Sequence, residues 1–429
     1  MISKPIVISL PIGEFDSGPI KEEFGIIIEA FNQMGVEVVM TDPVSDKEGI
    51  QRFSQDISSR NFDLLLVITL RGASAQLIET VVRMSQSPCL VWPVQGRYAL
   101  PSSTLAVGAL KDSGIPVELH YAPPGHPVSL EKIRCMTKAA RAYSRIKRSR
   151  IGIIGDLFPN LVSCHYDSQT VRSKIGVALL PISFAEVREA LKLLSKDIEA
   201  VEQLRDEIAS SYSVDAPDIH TLDSGIKLHL ALKRLALEHK VDGFAAECWT
   251  GFPQEIGVNP CLGFLEDTYT LACEGDVMLC ISLLIVRYLT GIYAYVGDLF
   301  DLDLDGVLTL IHCGAPASLA SNKKEVVLGK SQLALERGFN TITCRPRLSG
   351  GLVTLFRFYG PGCDKMHVAT GELESSELSP SLTVNIRLNG NRWDFLDQCF
   401  GNHYVVVAGD IRGELKVLCG WLGITIFET

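Results

Sequence analysis

Apolar residues in this chain arrive in short β-branched runs, separated by stretches where they recur every three or four positions. Residues 5–10 (PIVISL) form such a run, and residues 20–34 carry helical spacing, so the chain opens as strand, loop and helix. The alternation repeats through runs at 36–40 (VEVVM), 63–69 (DLLLVIT) and 88–93 (PCLVWP), with helical patterns at 50–57 and 75–84. Parallel strands need helical crossovers, so this order predicts a doubly wound parallel sheet. A strand at 116–119, the segment YAPPGHP at 121–127 and a helix over 130–145 complete it. Loops after such strands face ligands, which marks Arg71, Gly72, Gln95, Gly96 and Arg97 as candidate contacts, with an ordinary loop role as the alternative.

A basic connector at 141–150 (RAYSRIKRSR) precedes a second strand-loop-helix series starting at 150–157 (RIGIIGDL). Gly152 and Gly155 do not make the dinucleotide fingerprint. The loop 158–167 (FPNLVSCHYD) presents Asn160, His165 and Asp167. Helical spacing runs over 184–210 and 224–238, a strand over 241–246 ends at Glu247, Cys248 and Trp249, and 268–272 (TYTLA) reads as another strand. The turn Cys273-Glu274-Gly275-Asp276 then leads into a long apolar helix at 277–289, with Asp276 read as its cap. Beyond 293–296 the style changes to short strands at 305–310, 326–328, 340–348, 351–359, 367–372, 382–387 and 404–407, before a helix at 413–422. The fold class expected is α/β: two doubly wound Rossmann-like domains (1–147 and 148–288) followed by an antiparallel β-rich, barrel-like domain (289–429).

Composition narrows the classes. With 47% apolar and 21% charged residues in 429, the chain is globular rather than disordered. A net charge of −10 argues against nucleic acid, whose phosphates need clustered Lys and Arg. The 12 cysteines are scattered without CxxC pairs, as expected of reduced thiols in a cytoplasmic protein. No run reaches the roughly 18–20 apolar residues of a membrane helix, and the N-terminal run is too short for a signal peptide.

Between 244 and 314, polar interruptions of the apolar runs carry Glu247, Glu274, Asp276, Asp298 and His312, and His403 follows near the end. Carboxylates with imidazoles suit Mn²⁺, Mg²⁺ or Co²⁺ better than structural zinc. The segments ACEGD (272–276), YVGDLF (295–300), LIHCG (310–314) and GNHYVVVAGD (401–410) resemble the L-fucose/L-arabinose isomerase superfamily, as does the layout of nearly the whole chain.

That resemblance implies a soluble aldose-ketose isomerase working on an open-chain sugar through an enediolate. Glu274 and Asp298 stand at the positions of the paired catalytic and metal-binding carboxylates, and His312 and His403 at those of histidine ligands, with Asp410 competing for the last position. It implies Mn²⁺, or Mg²⁺ or Co²⁺, as cofactor. It also implies a homotrimer or homohexamer whose site is completed by a neighbour's first domain, where Gln95 and Arg97 would act on substrate. Trp249 and Glu247 would line the sugar pocket, with Arg345, Arg347 and Glu372 as further contacts to hydroxyls. Two alternatives stay open: a related enzyme acting on a modified or acid sugar, and a non-catalytic sugar-binding or regulatory protein. The acid/base pair argues against the second.

Overall fold

Strands buried on both faces dictate the first architecture. In the computed structural model, β1 (Ile6–Ile12), β2 (Glu37–Met40), β3 (Leu64–Thr69), β4 (Cys89–Pro93) and β5 (Val117–Leu119) form one sheet in the order β2-β1-β3-β4-β5, all parallel. The described residues are 4–14, 18–194, 198–215, 219–265, 268–330, 336, 338, 341–378 and 381–429. Alternation along β3 sends Leu64, Leu66 and Ile68 into one apolar core and Leu65 and Val67 into another, so helices must cover both faces. Four are expected from spacing, Gly18–Gln33, Lys47–Ser58, Ala75–Ser85 and Pro127–Ile146, and a fifth, Ala99–Asp112, is one the sequence analysis did not mark.

This unit comprises Met1–Arg145 together with Gly413–Gly423. The helix Arg412–Leu422 returns to it from the far end of the chain, leaning Val417 and Trp421 on the first core. Glu414 is wholly buried there and is held by Arg134 and by Lys138 at 3.4 Å. A carboxylate at that depth is tolerable only when paired.

The second unit, Ile146–Arg412 with Ile424–Thr429, holds three sheets. Strands β6 (Arg150–Ile154), β7 (Ala178–Ile182), β9 (Gly243–Ala246) and β10 (Thr270–Ala272) are parallel in the order β10-β9-β6-β7. A small sheet joins β8 (Ser213–Val214), β13 (Val326–Gly329) and β14 (Thr343–Pro346). The third contains β11 (Tyr295–Leu302), β12 (Val307–His312), β15 (Gly351–Tyr359), β16 (Lys365–Glu377), β17 (Leu382–Leu388), β18 (His403–Ala408) and β19 (Thr425–Glu428). Its order is β15-β18-β11-β12-β17-β16-β19, and a β15–β16 pairing closes it into a barrel-like sheet.

The fold class is thus the one expected, with local departures. The spacing over 184–210 resolves into helices Phe184–Leu194 and Ile198–Ser211, with 195–197 outside the described residues. The strand expected from 340 is β14, and residue 340 also lies outside them. β19 runs parallel to β16, an exception to the antiparallel pattern. No helix among the described residues is long and apolar enough to cross a membrane.

The helix Val277–Thr290 sits where parallel sheet and barrel meet, touching β6, β9 and β10 on one side and β15 and β18 on the other. Twelve of its residues are buried, which explains a sequence that is apolar all round. Gly291 ends it in the left-handed conformation.

Inside the barrel, His367 bridges the Tyr404 hydroxyl at 2.6 Å and the Thr429 hydroxyl at 2.9 Å, and burial pushes its pKa down to about 4. Its folded value lies below the ordinary 6.5, so its contribution to stability is complete above that value and is lost as pH falls toward 4. Urea unfolding followed at pH 7 and pH 5 should register about 2 kcal/mol less stability from this group at pH 5. That increment should disappear in His367→Gln.

Candidate active site and metal centre

The turn between β10 and the helix Val277–Thr290 is built by two consecutive left-handed residues, Glu274 (φ 60) and Gly275 (φ 72). Glycine is required at 275 twice over: for its backbone conformation, and because a Cβ would lie 2.3 Å from the Asp156 carbonyl oxygen. Glu274 has no such licence, and strain of this kind gathers at functional sites. Neighbours hold it in place: its carbonyl accepts from Phe158 N at 2.8 Å, its N–H points at Cys248 Sγ at 3.3 Å, and Gly275 N donates to the Ala246 carbonyl at 3.0 Å.

Asp276 then caps the helix, accepting from Leu279 N through Oδ1 at 2.9 Å, as expected. Its other oxygen accepts from His403 Nδ1 at 3.1 Å and from Arg357 at 3.2 Å. Burial opposes its charge, but Arg357 and the His403 ring outweigh burial and hold the carboxyl well below the usual range.

The β11–β18 register sets Asp298 directly opposite His403, so the two side chains stand together on one face. His403 Nε2 lies 3.4 Å from Asp298 Oδ1 and 3.5 Å from Glu274 Oε2. It has hydrogen-bond geometry to neither, and it is fully buried. Burial works to lower the His403 pKa, while Asp276, Asp298 and Glu274 pull it above the ordinary value. Glu274 is pushed up to about 7 by burial, against attraction from His403 and a hydrogen bond from the Trp249 side chain. Asp298 is 31% exposed at its side chain, and Asn402 donates to its Oδ1 at 2.5 Å.

His312, at the end of β12, places Nδ1 2.6 Å from the Gly314 carbonyl. A carbonyl only accepts, so Nδ1 carries the hydrogen and Nε2 the lone pair. Burial lowers the pKa of this imidazole against the pull of Asp298. Glu274, Asp298, His312 and Trp249 line one cavity of about 30 Å³. Its remaining wall is Asn259 and four thiols, Cys248, Cys261, Cys273 and Cys313. Burial, and for Cys273 first a hydrogen bond with Cys248, drives the Cys261 and Cys273 thiols well up. Asn259 donates to the Cys248 carbonyl at 2.7 Å, and its Oδ1 has no partner.

Glu274, Asp298, His312 and His403 are donor types that suit a divalent ion, and the Nδ1–H bonds to oxygen leave Nε2 of each imidazole as the nitrogen that could ligate one. Among the described residues, the grouping whose donor atoms all lie within 4.8 Å of one another is Cys164, Asp276 and His403, all buried. The Arg357 guanidinium already occupies that side, 2.9 Å from Cys164 Sγ and 3.2 Å from Asp276. Its positive charge disfavours a metal there.

Other expected residues lie elsewhere. Glu247 accepts from Asp156 N at 2.8 Å and from the Thr250 hydroxyl, so it organises the turn after β9 and does not line the cavity. Asp410 pairs with Arg412 at 2.6 Å, leaving His403 as the residue beside Glu274 and Asp298. Arg345 binds the Leu378 carbonyl at 2.8 Å, and neither it nor Arg347 nor Glu372 lines the cavity. His165 is exposed, while Asp167 caps the short helix Ser168–Thr170. Gln95 and Arg97 follow β4 in the first unit, where Gly72 N donates to the Arg97 carbonyl at 2.8 Å and Arg97 and Tyr98 are left-handed. The sequence reading missed Cys164, Asn259, Arg357 and Asn402. For Cys164 the signal was its loop, singled out for its neighbour His165.

The chain resembles sulfoquinovose isomerases. Those of Priestia aryabhattai and Priestia megaterium are each 24% identical to it over 399 residues, covering 87% of this chain and 86% of theirs. That of a Clostridium species is 23% identical over 393 residues, 84% of each. No family model matches. The likeness therefore spans most of the chain rather than one motif.

Gly275→Ala tests the turn. With a left-handed backbone and no room for a methyl group, it should cost about 2–3 kcal/mol and lower the melting temperature. Gly108→Ala, mid-helix with nothing within 4 Å of the new methyl, should instead stabilise by about 0.5–1 kcal/mol.

Proposed function

We propose that this protein is a divalent-metal-dependent aldose-ketose isomerase, with Glu274, Asp298, His312 and His403 as ligands and Glu274 and Asp298 as the acid/base pair. The observation that carries this reading is the convergence of the unpartnered His403 Nε2 with the two carboxylate groups at 3.4 and 3.5 Å. The sulfoquinovose isomerases support a sugar isomerase over most of the chain. Donor types favour Mn²⁺, Mg²⁺ or Co²⁺.

Isomerisation takes a proton from one carbon of an open-chain sugar and returns one to its neighbour, while a proton passes from the hydroxyl oxygen of one to the carbonyl oxygen of the other. Glu274 suits the shuttle because it is held in a buried turn at the cavity beside Trp249, where its carboxylate could take a proton from the sugar carbon and hand it on. Asp298, partly open to solvent and tethered by Asn402, faces the second carbon in this reading. A bound divalent ion would supply Lewis-acid stabilisation to the enediolate oxygens. The cavity of about 30 Å³ suits an ion and an oxygen atom rather than a hexose. The sugar carbons would then lie on its open side, with Trp249 beside Glu274.

The relatives suggest the substrate class: sulfoquinovose, a glucose bearing a sulfonate on carbon 6, or another modified sugar. A sulfonate calls for a cation, and we assign it to Arg97, with Gln95, from the first domain of a neighbouring subunit in a trimer or hexamer. A cytoplasmic location completes the proposal.

With Mn²⁺ supplied, wild-type protein should interconvert sulfoquinovose and its ketose, and chelation should abolish turnover until Mn²⁺, Mg²⁺ or Co²⁺ is restored. Glu274→Gln and Asp298→Asn should each lower kcat by roughly 10²–10⁴-fold. Turnover surviving these changes would remove both residues from the reaction, and inactivity toward all aldoses and ketoses with any divalent ion would overturn the isomerase reading. Arg97→Ala should raise KM for the sulfonated sugar at least ~10-fold while changing that for glucose little. A monomeric, fully active protein in light scattering would refute the shared site.

A further inference from the structure

We infer that Arg357 and Asp276 are a positioning pair that sets the tautomer and direction of His403, an inference that rests on the metal site proposed above. The three residues come from different elements: Arg357 from β15, Asp276 from the cap of the helix Val277–Thr290, and His403 from β18. Arg357 is 2% exposed at its side chain and Asp276 fully buried.

Asp276 divides its two oxygens. Oδ1 takes the helix N–H of Leu279, and Oδ2 takes His403 Nδ1 at 3.1 Å and Arg357 Nη2 at 3.2 Å. An ionised carboxylate only accepts, so His403 must carry a hydrogen on Nδ1, which makes Nε2 the nitrogen able to offer a lone pair toward Glu274 and Asp298. Arg357 supplies the charge that lets Asp276 remain ionised without water. Its Nη1 donates to the His403 carbonyl at 2.9 Å, so one planar guanidinium grips both the histidine's main chain and the carboxylate that orients its ring. Nη2 also lies 2.9 Å from Cys164 Sγ.

The surroundings are shaped to keep this guanidinium in place. At Gly401 (φ +159) a Cβ would fall 2.5 Å from Arg357 Nε, so the chain just before His403 passes over the guanidinium and only glycine fits without displacing it. Arg357 Nε itself has no hydrogen-bond partner. Burying an incompletely satisfied arginine is a poor route to stability, because an apolar side chain of similar volume usually serves as well or better. Its geometry is accounted for by the orientation of His403.

Asp276→Asn tests this directly. Asparagine caps helices as well as aspartate does, but it has a single acceptor oxygen. With that oxygen on Leu279 N, its amide would face His403 Nδ1, forcing the hydrogen onto Nε2. Mn²⁺ binding to the purified full chain, read from the EPR signal of free Mn²⁺, should weaken by ~10–100-fold, while excess Mn²⁺ restores turnover with an unchanged KM for the sugar. Arg357→Lys, which keeps the charge and the cap but cannot hold both acceptors in one plane, should weaken Mn²⁺ binding by a smaller factor. It carries the test alone if Asp276→Asn fails to fold.

If wild-type protein binds Mn²⁺, Glu274→Gln weakens that binding and the positioning variants bind like wild type, this inference is overturned and the proposed metal site stands. If wild-type protein binds no divalent ion, the proposed site falls and takes this inference with it.

Discussion

The second unit depends on one buried carboxylate. Asp276 is removed from water with its charge retained, which is affordable only because three kinds of donor converge on it: a helix N–H, a ring N–H and a guanidinium. Each ties it to a different part of the chain. The helix cap fixes where the β10 turn ends, the imidazole fixes β18, and Arg357 fixes β15 and, through Cys164, the loop after β6. Withdrawing any one donor leaves the others around an under-compensated charge, so the interaction acts as a keystone rather than as one salt bridge among many.

Around it, the apolar helix Val277–Thr290 explains how two architectures share one site. A parallel sheet offers functional groups at the ends of its strands, whereas a barrel offers them along a face. Glu274 comes from the first kind of position and Asp298 and His403 from the second. Their meeting requires the helix to touch both sheets, and only a helix without a polar stripe can do so without burying unsatisfied groups. The same demand makes the turn before it tight, which is why Glu274 and Gly275 are both left-handed. Local backbone strain here is the cost of delivering a carboxylate at the start of a helix that cannot shift.

Much of this was legible in the sequence. The β-branched runs gave the parallel strands, the apolar run after Asp276 gave the buried helix, and the Glu274, Asp298, His312 and His403 positions were marked by polar residues interrupting apolar strands. What was not legible is convergence. Arg357 lies in the middle of a strand, with no local pattern to separate it from a solvent-facing arginine, and its partners are 81 and 193 residues away at Asp276 and Cys164. Asn402 stands beside His403 in sequence, yet its amide serves Asp298, a consequence of strand register rather than of spacing. The return of the Arg412–Leu422 helix to the first unit likewise rests on Glu414 meeting Arg134 and Lys138, contacts that helical periodicity does not encode. Glu247 is a different case: it has a suitable residue type at a strand end, and its oxygens are bonded within its own turn.

A structural account alone leaves part of the cluster unexplained. Asp276 balances Arg357, but Glu274 and Asp298 then remain beside His403 with no second guanidinium among the described partners. If the task were only to hold the sheets together, Nε2 of His403 should find a donor, as buried ring nitrogens generally find a partner. Instead it lies between two carboxylates without hydrogen-bond geometry to either, while its opposite nitrogen is firmly anchored. The Oδ1 of Asn259 is another unpartnered polar atom on the cavity residues. Lone pairs left without donors on one side and firmly fixed on the other are what a cation needs, and the carboxylates supply the charge that would hold it. Stability alone predicts neither feature, whereas the divalent ion proposed for this site would account for both.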